Sequence, residues 1–297
     1  MSVRPGDRTS AHEGAAVSGP RTAVVTLAHG RHEHLRGQGW GLARQTVRPD
    51  HYVVVAMGDP GVEAVVRELH PAATVVPVPL TAAGELPLSA ARNAGAAAAL
   101  DLGADVLVFL DVDCIPAAGT VARYAEVLRD AGTSPVVACG EVAYLPAVGH
   151  PAAYRVPSLA ATAEPHPARP APAPGTTQVA DDVRLFWSLS FAVTASGWRA
   201  LGGFDEGYVG YGGEDTDFGQ RIRESGGTML WVGGAAAYHQ HHEQESPPLR
   251  HRRSIVRNAN VFHDRWGWFP MEGWLAELHR RGLARLDADA GRWVVIG

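Results

Sequence analysis

Short, almost wholly apolar runs alternate with longer segments of helical spacing along the first third of this chain, and few folds accommodate that pattern. Residues 22–28 (TAVVTLA), 51–57 (HYVVVAM), 73–79 and 105–110 (DVLVFL) are rich in Val and other strand formers and too short to stand as helices. Between them lie 33–45, 62–70 and 89–102. In the second of these, Val62, Val65, Val66 and Leu69 recur on one helical face. Runs that are apolar on both faces suit strands covered from both sides. The alternation predicts an α/β fold, with a central, mainly parallel twisted sheet flanked by helices. Ligands of such sheets sit beyond the carboxyl ends of the strands, so the residues following each run carry the chemistry.

The rest of the chain follows no such alternation. Residues 1–20 mix Arg, Gly, Ser, Pro and acidic residues without a period and are expected to be a disordered tail. Residues 146–182 are Pro/Ala-rich and aperiodic, a flexible insertion or a lid. A further strand is expected over 185–195 (LFWSLSFAVTA), and a helix over 271–281 within the Trp- and Arg-containing stretch 246–297.

Composition removes several classes of function. The formal net charge of −5 offers nothing to attract nucleic acid or an anionic membrane. All 26 basic residues other than His are Arg, so Schiff-base chemistry, pyridoxal attachment and a P-loop lysine are excluded. Cys114 and Cys139 lack CxxC spacing, and neither a disulfide framework nor a structural zinc site is indicated. No signal peptide is read and no run is long and apolar enough to cross a bilayer, so a soluble cytoplasmic protein is expected.

Three clusters remain. Asp111 and Asp113 close the run DVLVFL, and residues two apart in extended chain point to the same side. Two carboxylates there suit a hard divalent cation, which can in turn hold a diphosphate; solvated turn aspartates are the plain alternative. The second cluster runs from Gly202-Gly203-Phe204-Asp205-Glu206 to Gly210-Tyr211-Gly212-Gly213-Glu214-Asp215-Thr216-Asp217. Its glycines permit close backbone approach to a ligand, and its acidic residues open a helix over 215–224 with Phe218 and Ile222 inward. Acidic residues in a first helical turn also cap helices, which accounts for one or two of the carboxylates and not for the aromatic and glycines beside them. The third is Ala237-Tyr238-His239-Gln240-His241-His242-Glu243: His239 ends the apolar run MLWVGGAAAY and is the better ligand, with His241 and His242 read as surface histidines.

LDVD after a strand, LSAARNAG upstream, GGFDE with GYGGEDTDF, and AYHQ together resemble the inverting GT-A glycosyltransferases. The likeness is to family 2 enzymes with the galactosyltransferase-type C-terminal module found in β-1,4-galactosyltransferases and chondroitin polymerase domains, and it covers about residues 21–243. It implies a nucleotide-binding half at 21–145 and an acceptor-binding half at 183–245, joined by the 146–182 loop. A helical extension at 246–297 would pack on this catalytic domain. It further implies a Mn2+ (or Mg2+) cofactor, a nucleotide-sugar donor (a UDP-sugar), and a saccharide, lipid-linked or small-molecule acceptor.

Residue by residue, Ala28, His29 and Arg31 match the nucleotide loop, His29 standing where the family carries Arg. Asp59 would accept from the nucleobase, and Arg92 and Asn93 would lie along the nucleotide. Asp111 would contact the ribose or, through water, the metal; Asp113 and His239 would ligate it directly. Tyr211, at the family's Trp position, would stack near donor phosphate and acceptor sugar, with Gly212 and Gly213 beside it. Glu214 would hydrogen-bond a sugar hydroxyl and Asp215 would be the general base. The alternatives left open are a non-catalytic nucleotide-sugar-binding protein, a sugar nucleotidyltransferase and a glycosidase. Arg250, Arg252 and Arg253 are a phosphate clamp or a solvated face.

Overall fold

The computed structural model describes residues 19–132, 134–243 and 246–296. The tail expected over 1–20 thus lies, up to residue 18, outside the described residues. Strand and helix alternate as the apolar runs require: β1 (Thr22–Ala28), α1 (His32–Leu42), β2 (His51–Met57), α2 (Gly61–Leu69), β3 (Thr74–Val78), α3 (Leu88–Asp101) and β4 (Val106–Leu110). A short β5 (Cys114–Pro116), α4 (Thr120–Leu128) and β6 (Val136–Tyr144) follow. After the two-residue β7 (Glu164–Pro165) and β8 (Thr177–Val179) come β9 (Ser190–Thr194), α5 (Ala195–Leu201), α6 (Glu214–Glu224) and the long β10 (Thr228–His239). The C-terminal stretch forms α7 (Arg252–Trp266), α8 (Glu272–Arg280), β11 (Ala284–Asp287) and β12 (Arg292–Val295).

The main sheet runs in the order β3-β2-β1-β4-β9-β6-β10-β5, with β7 on β6 and β8 on β10. Parallel pairing joins β3, β2, β1 and β4, and again β6 and β10; β9 is antiparallel to both β4 and β6. Both faces are covered, which explains the continuous apolar runs. Along β1, Val24 and Ala28 pack with Leu35, Val62, Val66 and Tyr124 from α1, α2 and α4. Val25 and Leu27 face the other way, onto Ala91, Ala96 and Ala99 of α3 and Phe218 and Ile222 of α6. At Gly95 an added Cβ would stand 2.5 Å from Val25 and 2.9 Å from Val55, so the close seat of α3 requires glycine there.

The strand expected over 185–195 is confined to β9. Residues 183–185 instead form a 3-10 turn, with Phe186 fully buried beyond it. Phe186 joins an aromatic cluster in which Phe109 stacks on Phe191 (4.5 Å) and Phe204 on Phe218 (4.4 Å). That cluster pins the 202–206 loop and α6 to the sheet. Nor is 146–182 without structure: it pairs through β7 and β8, buries Tyr154 and Leu159 against Ile115 and Leu145, and ties Arg155 to Glu33 at 3.0 Å.

Beyond residue 246 the reading as helix alone is incomplete, because β11 and β12 form an antiparallel hairpin against α7 and α8. A hollow of about 550 Å³ lined by His263, Trp268, Phe269, Leu275, His279 and Trp293 lies here and shares no residue with the carboxylate clusters. No helix among the described residues is long and apolar enough to cross a membrane.

The extension is bolted to the second motif. Asp217, fully buried, accepts from Arg265 Nη1 (2.9 Å), Trp266 Nε1 (2.9 Å) and the Tyr208 hydroxyl (3.3 Å). Asn258 donates to the carbonyls of Val209 (3.0 Å) and Gly212 (2.8 Å). Asp217→Ala strands three donors, and because Arg265 remains partly solvated we expect a loss of about 2 kcal/mol. A urea midpoint lowered at unchanged m would show it; an unmoved midpoint would mean the network contributes nothing to stability.

Candidate metal and carboxylate site

Sheet register builds the first half of the site. Asp111–Asp113 turn the chain from β4 into β5, and the Cys114 amide donates to the Asp111 carbonyl at 2.9 Å. β5 runs antiparallel to β10 with Cys114 opposite His239, which sets that imidazole beside Asp113. The Gln240 amide then donates to the Asp113 carbonyl (2.8 Å), and its side chain donates to the His34 carbonyl (2.9 Å), turning the chain back over the site. His239 Nε2 lies 3.5 Å from Asp113 Oδ1 and His242 Nε2 3.3 Å from Oδ2. His242, read from sequence as a surface residue, is therefore half-buried at the site: the backbone turn at Gln240, which residue type alone does not reveal, brings it back.

Asp113, His239 and His242 offer ligand atoms all within 4.8 Å of one another. One carboxylate and two imidazoles suit a borderline divalent cation, and Asp113 Oδ1 is buried with no hydrogen-bond partner among the described residues. Burial works to raise the Asp113 pKa, but His242, His239 and Arg31, whose Nη1 is 3.3 Å away, outweigh it and hold the carboxyl down at about 2. Burial lowers the pKa of His239, favouring the neutral ring that a metal requires. Asp111 lies outside this trio.

Arg92 organises the second half. It is buried; Nη2 donates to Ser188 Oγ at 2.5 Å and lies 3.7 Å from Asp111, and Nη1 lies 3.9 Å from Glu214. Asp215 Oδ2 accepts from the Ser188 amide (3.0 Å) and hydroxyl (3.2 Å), whereas Oδ1 is buried and bare. Gly213 caps α6 at φ 93°, with Gly212 before it at φ 94°, backbone that L side chains rarely adopt. Tyr211, 40% exposed, is sandwiched between His251 (5.1 Å) and Trp274 (5.7 Å) of the C-terminal extension. Trp274 reads from sequence as core in the first place, with stacking on an acceptor sugar as the alternative; Ser188 and His251 were not picked out, and of the missed groups only His242 had a readable signal, its H-x-x-H spacing from His239.

Burial first, and then the Asp215 charge, push the Glu214 carboxyl up to about 7. Burial likewise raises Asp111 to about 7 against the pull of Arg92. For Glu214 the linkage has a definite sign. Between its ordinary 4.5 and about 7 the folded state holds a proton that the unfolded state has lost, so stability declines as pH rises through that window and is level above it. Glu214→Gln in chelator-treated protein is expected to flatten this decline, by on the order of 2 kcal/mol between pH 5 and 8. Parallel urea-stability curves for the two proteins would refute it.

The nucleotide-side candidates are more tied up than expected. Asp59 receives the Gly30 amide (2.8 Å), His32 Nε2 (2.8 Å) and the Gly61 amide (2.9 Å), so both oxygens already order the loop after β1, which Ala28 ends. His29 Nδ1 is 2.6 Å from the Met57 carbonyl. Asn93 exchanges hydrogen bonds with the Phe204 backbone and donates to Glu206, fastening α3 to the second motif. Arg31 alone of the loop points its charge at Asp113, from a left-handed backbone (φ 51°). Arg250 and Arg253 are exposed, and Arg252 Nε is buried without a hydrogen-bond partner among the described residues.

A mixed sheet with helices on both faces, a DxD turn at the carboxyl edge of its parallel half and an acidic helix N-terminus facing it define the GT-A fold of glycosyltransferases. Residues 177–244, which span Ser188, the second motif and His239, match the family model described as the N-terminal domain of galactosyltransferase. Among solved structures the chain is similar to GalNAc-T7 with UDP, GalNAc and Mn2+ (16% identity, TM-score 0.53, covering 89% of this chain and 57% of that one). It is also similar to the mannosyltransferase PcManGT of Pyrobaculum calidifontis with GDP-Man and Mn2+ (18%, TM-score 0.53, 89% and 70%). A third is S. aureus TarS 1–349 (10%, TM-score 0.53, 82% and 66%). The chain therefore spans little more than half the length of the first of these structures. No curated protein sequence matches it.

Proposed function

We propose that this chain is a metal-dependent, inverting glycosyltransferase that moves a sugar from a nucleotide donor, a UDP-sugar, to an acceptor hydroxyl. The observation that carries the reading is Asp215: one carboxylate oxygen is anchored by Ser188 and the other is buried and bare, and Arg92 links it to the strand end that holds Asp113. That is a base held in a fixed orientation. The Asp113–His239–His242 trio, with two imidazoles, fits Mn2+ better than the harder Mg2+, and the ion when bound would neutralise charge on the departing diphosphate.

The remaining roles belong to the chain itself. Asp215 takes the proton of the acceptor hydroxyl as it attacks the anomeric carbon, in a single displacement that inverts the centre. Glu214 holds a sugar hydroxyl, as donor or acceptor according to its own protonation. Arg31, now 3.3 Å from Asp113, would turn to phosphate oxygens once that carboxylate engages the cation. His29, Asp59 and Ala28 frame the nucleoside end, Asn93 secures the second motif, and Tyr211 in its sandwich faces the sugars. In this reading 21–145 is the donor half, 183–245 the acceptor half, and 246–297 a buttress for the second motif.

A thermal-shift and hydrolysis screen of nucleotide sugars with Mn2+, with Mg2+ and with chelator tests the proposal. A cognate donor at a hundredfold excess over its dissociation constant stabilises by about 2.7 kcal/mol. A response to one UDP-sugar that requires metal is expected. Silence toward every nucleotide and nucleotide sugar in the presence of metal would overturn the proposal.

A further inference from the structure

Arg169 lies in 146–182, between β7 and β8, and no role above uses it. It is 8% exposed, and its Nε, Nη1 and Nη2 are all shielded from water with no hydrogen-bond partner among the described residues. Arg92 shows the ordinary arrangement of a buried guanidinium, with Ser188, Asp111 and Glu214 around it. Arg169 has only ring faces: its guanidinium carbon stands 4.8 Å from the Trp231 centroid and 5.4 Å from that of Trp187. Indole faces offset part of the cost of burying the charge, but the in-plane donors of the fork point at nothing.

Its position joins it to the site. Trp187 precedes Ser188, which anchors Asp215. The His166 ring meets the Trp187 ring at 4.8 Å, the Tyr144 ring lies 5.8 Å from His166, and the His239 ring lies 4.9 Å from Tyr144. An aromatic wall thus runs from the candidate metal ligand to Arg169. The charges of Arg169, Asp111 and Asp113 all act on the Tyr144 hydroxyl, and those of Arg169 and Asp215 both act on Cys139. The fork itself is closed, and His166 and Trp187, only half-buried, are the neighbours nearest solvent whose movement would open it to a ligand.

We propose that Arg169 anchors the carboxylate of an acidic sugar, carried by either the donor or the acceptor, which sits along the wall formed by Tyr144, His166 and Trp187. The proposal rests on the transferase reading for what the ligand is doing there. A planar fork matches a carboxylate with two parallel hydrogen bonds, and one fixed cation balances one negative charge. A phosphomonoester would bring nearly two charges, and the other basic group here, His166, is disfavoured in its charged form by burial and by Arg169 itself.

The test compares acidic and neutral sugars in matched pairs, at equal ionic strength, on wild type, Arg169→Met and Arg169→Lys. Glucuronic acid is set against glucose on the protein alone. UDP-glucuronic acid against UDP-glucose with Mn2+ reads the donor arm. p-Nitrophenyl glucuronide against the glucoside, on protein saturated with UDP and Mn2+, reads the acceptor arm. Arg169→Met keeps the apolar stem against both indoles and removes the fork; Arg169→Lys keeps the charge only.

Wild type is expected to bind the acidic member at least about tenfold more tightly in the free-sugar pair and in one of the two arms. Arg169→Met should lose that preference with UDP–Mn2+ binding unchanged, and Arg169→Lys should recover part of it. Equal binding of both members of every pair by wild type overturns the assignment, whether or not the variants fold. So does a preference that survives in Arg169→Met. UDP with Mn2+ alone reports on the transferase reading, and free glucuronate alone reports on Arg169, so either can fail without the other.

Discussion

Asp215→Asn is expected to lower the turnover of sugar transfer by about 10³-fold while leaving UDP and Mn2+ affinity within about twofold of wild type. The amide is nearly isosteric, and its oxygen can keep the hydrogen bonds from the Ser188 amide and hydroxyl. What it loses is the lone pair of the bare Oδ1, the only part of the side chain with a chemical task. Equal loss in kcat and kcat/KM would mark an interaction made only in the transition state. Single-turnover rates together with UDP titrations separate the effects. A variant retaining a tenth of wild-type turnover would remove Asp215 as the base and leave Glu214, the adjacent buried carboxyl, as the one to examine.

The second large effect concerns metal. His242→Ala and Asp113→Ala are each expected to weaken Mn2+ binding in the presence of UDP by on the order of a hundredfold or more, a larger loss than changes behind a ligand usually cause. Removing Asp113 also leaves Arg31 without its carboxylate, so the cation then faces an uncompensated guanidinium. His241→Ala, on the same turn and exposed, is the control and should bind Mn2+ as wild type does. Calorimetric titration measures all three. A His242→Ala protein with undiminished affinity would restrict the site to Asp113 and His239, the pair that sequence reasoning had named.

How far sequence reasoning reached depends on whether a feature is local. The runs around Val24, Val54 and Val108 announce buried strands because each residue in them must be apolar whichever face it meets. The DxD turn and the GYGGED helix start are likewise legible, since spacing and residue type along a few positions define them. Leu185–Ala195 misled for the opposite reason. Its apolar residues serve an aromatic cluster built with β4, α5 and α6, and only Ser190–Thr194 extends as β9. Asn93 and Asp59 read as ligand-binding side chains, yet their hydrogen bonds go to Phe204, Glu206 and to Gly30, His32 and Gly61, partners that spacing along the chain does not single out.

Sequence alone therefore determined the α/β architecture, the carboxyl-edge placement of Asp111 and Asp113, and the acidic start of α6 at Glu214 and Asp215. These follow from local periodicity and from the two-sided burial of a covered sheet. Tertiary structure decided which groups meet. Pairing of β5 with β10 set His239 against Asp113, the turn at Gln240 returned His242 to the same carboxylate, and the turn before α7 together with α8 supplied the rings that stack on Tyr211. It also decided what burial does to each group: Asp111 and Asp113, two residues apart, are driven in opposite directions because burial and the charges of Asp113 and Asp215 outweigh Arg92 and Arg31 at the first, whereas Arg31 and two imidazoles outweigh burial at the second. Burial and long-range partners set such free energies, and no window along the chain contains them.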